Sequence, residues 1–128
     1  MPQVHCYPSQ LNQVFLNIIN NAIDSIKPSE KTASKPRIHI TTEPIPDQNA
    51  VRISITDNGL GMDQETLLQI FDPFFTTKPV GSGTGLGLAI SYQIIVEQHH
   101  GNLNCVSSLG EYTKFIIEIP TKAVQNKH

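Results

Sequence analysis

Tryptophan is absent from the sequence, and cysteine occurs only twice, at Cys6 and Cys105. Two thiols so widely separated have no metal-ligand spacing and make no disulfide framework, which fits a chain kept in a reducing compartment. A charge of one sign is lacking too: 9 Lys and Arg stand against 11 Asp and Glu, for a formal net charge of −2. That balance excludes the basic footprint of a nucleic-acid binder and leaves any anionic ligand to be held by local geometry. No apolar run approaches the length of a membrane span, and no signal-peptide pattern opens the chain, so a cytoplasmic segment is expected whatever anchors the whole protein. At 128 residues with 38% hydrophobic content, the chain can bury a core without covalent staples and reads as one domain over 1–128.

What is present is strong periodicity. Leu11, Val14, Phe15, Ile18, Ile19, Ala22, Ile23 and Ile26 recur in steps of three and four, which predicts a long amphipathic helix from Pro8 to Ile26. Pro8 suits its first turn and Pro28 lies just past its end. Arg37–Glu43 and Val51–Thr56 alternate with period two on either side of "PIPDQN", the pattern of an antiparallel hairpin. "DQETLLQI" is expected as a short helix with Asp63 as its N-cap. "FDPFFTTKPVGSGTG" has no periodicity and reads as a mobile loop. A second long helix is expected over Leu86–His99, closed by Gly101. "NLNCVSS" and "YTKFIIEIP" then predict a second hairpin around "LGE".

Three stretches could carry chemistry. Asn17, Asn20 and Asn21 crowd one helix although asparagine is a poor helix former, and Asp24 extends the same edge. Their oxygens could ligate a hard cation such as Mg²⁺; a solvated polar face is the plainer alternative. In "ITDNGLGM", Asp57 ends a buried-looking strand ahead of Gly59 and Gly61, which suits either an ordinary turn or an acceptor aimed at an exocyclic amine. Gly81, Gly83, Gly85 and Gly87 lead into the second long helix, whose free N–H groups and positive dipole end suit a phosphate. The run matches neither the P-loop nor GxGxxG, because Leu86 and Leu88 stand where a third glycine is needed. Alone, it could equally be a flexible loop.

Taken in order, "LNQVFLNIINNAIDSI", "DNGLGM", "FDPFF" and "GTGLGLAIS" resemble the N, G1, F and G2 boxes of the ATP-binding domain of sensor histidine kinases. That domain lies within the superfamily that includes gyrase, the heat-shock chaperone ATPases and the mismatch-repair ATPases. The closing "HHGNLNCVSSLGEYTKFIIEIP" also resembles the domain's last hairpin, so the resemblance covers nearly all of Leu11–Pro120. It implies an α+β fold, a two-layer α/β sandwich in which a mixed, mostly antiparallel sheet carries helices on one face and a mobile lid covers ATP.

Carried onto this sequence, the resemblance implies that Asn21 ligates Mg²⁺, with Asn17 beside it one turn earlier. Asp57 accepts from the adenine amino group, and Gly59 and Gly61 let the backbone approach the nucleotide. Gly83, Thr84, Gly85, Leu86, Gly87 and Leu88 form the nucleotide-binding turn, its glycines shaped to phosphate. Thr113 supports the adenine-binding carboxylate, Phe71, Phe74 and Phe75 belong to the lid, and Lys78 pairs with the γ-phosphate unless it is an ordinary loop lysine.

Water-activating members of the superfamily carry a glutamate one turn before the metal asparagine. Here that place is Asn17, which cannot take a proton from water at neutral pH. The expected function is therefore transfer of the ATP γ-phosphoryl group to a histidine of a separate dimerisation domain, and onward to a response regulator in a two-component phosphorelay. Many histidine kinases carry a basic and an aromatic residue where this chain has Asp24 and Ser25. Nothing here resembles the phosphoacceptor helix; His5, His99 and His100 are poor candidates for that role, so the isolated domain is expected to be a monomer that binds nucleotide without phosphorylating itself. An ATP-hydrolysing member and a degenerate nucleotide-sensing module are the rival readings.

Overall fold

The computed structural model describes residues 7–26, 36–45, 47, 49–72 and 87–121. Helix α1 (Pro8–Ile26) has the predicted bounds. Strands β1 (Ile38–Ile45) and β2 (Ala50–Asp57) follow, then the single turn of α2 (Gln64–Leu67). Helix α3 (Gly87–Tyr92) runs into a π-helical segment, Gln93–Gln98, and strands β3 (Asn102–Ser108) and β4 (Tyr112–Pro120) close the fold.

The strands form one four-stranded sheet in the order β1-β2-β4-β3. A mixed sheet was expected; among the described residues every pairing is antiparallel. The expected mobile lid falls between Phe71 and Gly87, most of it outside the described residues.

Register fixes the two faces. Val51, Ile53 and Ile55 of β2 stand beside Ile119, Ile117 and Phe115 of β4, and Leu103 of β3 pairs with Ile117. These residues, with Leu11, Val14 and Ile18 of α1 and Ile94 and Ile95 of the π segment, make the core. Period two in the strands and period 3.6 in α1 therefore put their apolar sides on the same interface. Strand β1 is exposed along most of its length, because only β2 flanks it in the described sheet. On the face away from the helices, Arg52 bridges Glu43 at 2.9 Å and Glu118 at 2.8 Å across three strands. Such exposed pairs contribute little stability.

Two details depart from the periodicity. Ile23 is 42% exposed, since the apolar stripe of α1 is wider than the face it buries. The predicted continuous α-helix to His99 gives way to π winding, in which the His99 N–H bonds to Ile94 O five residues back at 3.1 Å. The wider turn brings His99 inward, 6% exposed, where Nδ1 donates to Ile94 O at 2.9 Å and Nε2 accepts the Tyr7 N–H at 3.0 Å. Both ring nitrogens are thus committed, and the end of this helix is fastened to the start of α1. The left-handed residue after the helix is His100, with φ 57°, not Gly101. Gly101 is instead needed for close approach, because a Cβ there would overlap Glu118 O.

Ile18 is fully buried, whereas Leu16 on the same helix is 61% exposed. Ile18→Ala should lower unfolding free energy by about 3 kcal/mol and Leu16→Ala by less than about 0.5 kcal/mol, measured by urea titration.

Candidate functional site

The site is built where the C-terminal end of β2 meets the last turns of α1. Asp57 ends β2 and pairs in register with Thr113 of β4, both buried on the helix-covered face at 3% and 5% exposure. Its Oδ1 accepts the Gly59 N–H at 2.8 Å, and its carboxylate also accepts the Ser25 hydroxyl. Burial pushes the Asp57 carboxyl above the ordinary carboxylate value, and the two donors oppose that shift. The two donors that meet the carboxylate, the Gly59 N–H and the Ser25 hydroxyl, are both uncharged.

The turn after Asp57 is clamped from two sides. Leu60 N–H donates to the Ser25 hydroxyl at 3.0 Å, and a Cβ at Gly59 would overlap that hydroxyl and the Ser25 backbone. On the other side, the Gly110 N–H donates to Leu60 O, and Met62 N–H donates to Ser107 Oγ at 2.8 Å. Ser107 in turn donates to Tyr112 O at 2.8 Å and lies 3.0 Å from the Thr113 hydroxyl. Gly61 has φ 70°, and a Cβ there would overlap Ser108 O. The close approaches that Gly59 and Gly61 make are thus to Ser25 and Ser108.

Asn17 lies against the start of α3. Its amide Nδ2 donates to Gly87 O at 3.1 Å and to Ser91 Oγ at 3.2 Å, while the Ser91 hydroxyl donates to Gly87 O at 2.9 Å. Asn21 donates its own Nδ2 to Asn17 O at 2.9 Å, which leaves the amide oxygen as its ligating atom. Among the described residues no group of three His, Cys, Asp or Glu could hold a metal ion. One neutral oxygen fits Mg²⁺ arriving with a triphosphate, since that ion keeps several waters and takes phosphate oxygens.

The structure therefore brings Asp57, Thr113, Gly59 and Gly61 together at one end, and Asn17, Asn21 and Gly87 along the helix pair. Leu88 packs against the core, as does Phe71. Lys78, Gly81, Gly83, Thr84, Gly85, Leu86, Phe74 and Phe75 lie outside the described residues, as does His5. Sequence reasoning missed Ser25, Ser91 and Ser107. The signal for Ser25 was its place four residues after Asn21, on the ridge that also carries Asn17. Cys105 is partly buried on the same sheet face, and that burial, with the nearby Asp57 charge, pushes its thiol up to about 12. It is an inert core thiol.

The family described as "Histidine kinase-, DNA gyrase B-, and HSP90-like ATPase" matches residues 6–123. Sporulation kinase E of Bacillus subtilis (strain 168) is 40% identical over 122 residues, covering 95% of this chain and 15% of that protein. Signal transduction histidine-protein kinase AtoS of Escherichia coli (strain K12) is 41% identical over 117 residues, covering 91% of this chain and 18% of that protein. The chain thus spans under a fifth of the length of these relatives. Among solved structures, the nucleotide-free catalytic domain of histidine kinase ThkA superposes with a TM-score of 0.74 at 35% identity, over 92% of this chain and 70% of that one. Full-length ShkA in complex with AMPPNP gives 0.78 at 28% identity, over 97% of this chain and 24% of that one.

The donor at residue 17 must be a nitrogen, because Gly87 O can only accept. Asn17→Asp should lower stability at pH 7 by about 2 kcal/mol in urea unfolding, by setting an anion against that carbonyl. A variant as stable as the parent would show that the Asn17 contacts contribute nothing.

Proposed function

The chain belongs to the histidine kinase-, DNA gyrase B- and HSP90-like ATPase family, and we propose that it binds Mg-ATP and donates the γ-phosphoryl group to a histidine on a separate dimerisation domain. The observation that carries this reading is Asp57, a buried carboxylate that, among the described residues, is met by uncharged donors at the end of a strand, opposite Thr113. Such a group recognises the amino edge of adenine, and family membership supplies the nucleotide. The AMPPNP complex of the similar ShkA supports it further.

In this role Asp57 accepts from the exocyclic amine, with Thr113 beside it, and Gly59 and Gly61 hold the turn that walls the base. Asn21 offers its amide oxygen to Mg²⁺, which when bound offsets triphosphate charge. Gly83, Thr84, Gly85, Leu86, Gly87 and Leu88 lead into the helix whose N-terminal N–H groups suit the phosphates, with Lys78 as a further positive partner. Phosphoryl transfer needs charge neutralisation and in-line positioning more than covalent help, so these elements suffice on the donor side. The acceptor histidine, the response regulator that follows it, and the cytoplasmic setting belong to the whole protein. The single-domain reading of 1–128 and a monomeric state complete the proposal.

Hydrolysis is the weaker reading. Asn17 presents its NH₂ to Gly87 O and Ser91, so it is engaged as a donor where a water-activating base would stand. Among the histidines, His99 is buried with both nitrogens engaged and cannot serve as a phosphoacceptor as placed.

Calorimetric titration with a non-hydrolysable ATP analogue and Mg²⁺ tests the proposal. One saturable site is expected, with affinity about a hundredfold lower in Asp57→Asn. No binding to folded protein would overturn the nucleotide reading. Phosphate should pass to the histidine when the dimerisation domain is supplied with Mg-ATP, and turnover without it should be negligible. The same variant has a stability signature. Because the folded carboxyl titrates above its unfolded value, Asp57 costs stability above its folded pKa, and that cost is relieved as pH falls through it. Asp57→Asn should therefore be at least as stable as the parent at pH 7, with its advantage shrinking on acidification, read from melting curves.

A further inference from the structure

We infer that Ser25 is a positioning residue for the purine base, orienting the Asp57 carboxylate toward the exocyclic amine and tying that carboxylate to the helix that carries Asn21. The inference rests on the proposed adenine contact of Asp57 and adds to it a residue to which the motif resemblance assigns no role.

The hydroxyl of Ser25 has one hydrogen and two lone pairs. The hydrogen goes to the Asp57 carboxylate, and one lone pair takes the Leu60 N–H at 3.0 Å. Ser25 thereby grips both the acid that ends β2 and the turn that follows it. The Leu60 N–H also reaches Ser25 O at 3.3 Å, so the turn is registered against the backbone of α1 as well as the side chain. Gly59 sits between these contacts, so close that a Cβ would overlap Ser25.

What the hydroxyl adds is orientation. The terminal torsion of an aspartate is broad and roughly two-fold, so a single donor leaves the carboxylate free to rock. The Gly59 N–H, at 2.8 Å from Oδ1, is one donor; the Ser25 hydroxyl is the second. With two donors arriving from different elements, the plane of the carboxylate is set and the unused lone pairs have a fixed direction. Both donors are neutral, so orientation is gained without neutralising the charge that attracts the amine.

Placement on α1 adds coupling. Asn17, Asn21 and Ser25 follow one another at four-residue spacing along a single ridge. Asn17 touches the start of α3, Asn21 holds the proposed cation oxygen, and Ser25 holds the base-reading acid. One rigid helix thus sets the distance between the base end and the phosphate end of the bound nucleotide.

The test compares ATP with purine riboside 5′-triphosphate, which lacks only the 6-amino group, both with Mg²⁺ and by calorimetry. The protein is the parent chain or Ser25→Ala. Alanine is the best helix former, and the backbone contact of Leu60 to Ser25 O persists, so the variant keeps its fold. Ser25→Ala should bind ATP about tenfold more weakly and the purine triphosphate within about twofold of the parent, so that the preference for the amine collapses. An equal fall for both nucleotides, or an unchanged preference, would overturn the inference and reduce Ser25 to a packing residue. A parent chain that shows no preference for ATP over the purine analogue would overturn the amine contact of Asp57 itself, and the role of Ser25 with it. The failures are separable because the first two appear only in the variant and the last in the parent.

Discussion

Burying the Asp57 carboxylate against uncharged donors is the constraint around which this fold is arranged. Asp57 has lost nearly all contact with water, and its solvation is replaced by a backbone N–H and a serine hydroxyl. Buried charge is costly unless its lone pairs are met, and each donor has to be delivered by an element that is itself held in place. The Gly59 N–H is aimed correctly only if the chain turns tightly against α1, which excludes a side chain at that position. The hydroxyl arrives only if α1 continues through Ser25 before ending. The clamp of Ser107, Gly61 and Gly110 then holds the far side of the turn on the β3–β4 hairpin. Sheet, helix and hairpin are each required by one oxygen-lined corner.

Helix α1 serves two purposes on two faces. Leu11, Val14, Ile18 and Ala22 bury into the sheet and supply the stabilisation that makes the helix rigid. Asn17, Asn21 and Ser25, one edge over, use that rigidity as a ruler. At the helix start, His99 accepts the Tyr7 N–H and so joins the beginning of α1 to the end of the π segment. Asn17 joins its middle to the start of α3. The two helical elements are fastened at both ends of their contact, so the ridge cannot slide relative to Gly87 without breaking partly buried hydrogen bonds.

Most of this architecture was legible in the sequence because its signals are local. The bounds of α1 follow from its apolar spacing and flanking prolines, both hairpins follow from alternation around turn residues, and Asp63 caps α2 through a 2.8 Å bond to Thr66 N–H, as its position suggests. The aspartate-to-glycine pattern at the end of β2 drew attention to the corner where Asp57, Thr113 and Ser25 meet. What could not be read depends on contacts distant in sequence. The π turn forms because His99 has partners at both Ile94 and Tyr7, and no periodicity announces a ring that must turn inward. Ser25 looks like a weak helix residue near a terminus until the strand end is placed beneath it. Gly59 and Gly61 were expected to let the backbone approach a nucleotide; the close approaches the structure shows are to Ser25 and Ser108, contacts distant in sequence that no local pattern announces.

The identity of residue 17 bears on mechanism for a reason that goes beyond the missing carboxylate. An amide places a donor and an acceptor on one planar group, and here the donor side faces Gly87 O and Ser91 Oγ. A carboxylate in the same pose would set anion against carbonyl, so converting this position to a base would require the start of α3 to move. In the proposed kinase role that start leads directly from the phosphate-binding turn. Asn17 and the position of the phosphate end are therefore one structural choice: a chain that fixes α3 through an amide at this point has no place there for a water-activating acid. In the proposed role, that choice favours a nucleophile other than water, because the amide at residue 17 is already spent on holding the start of α3.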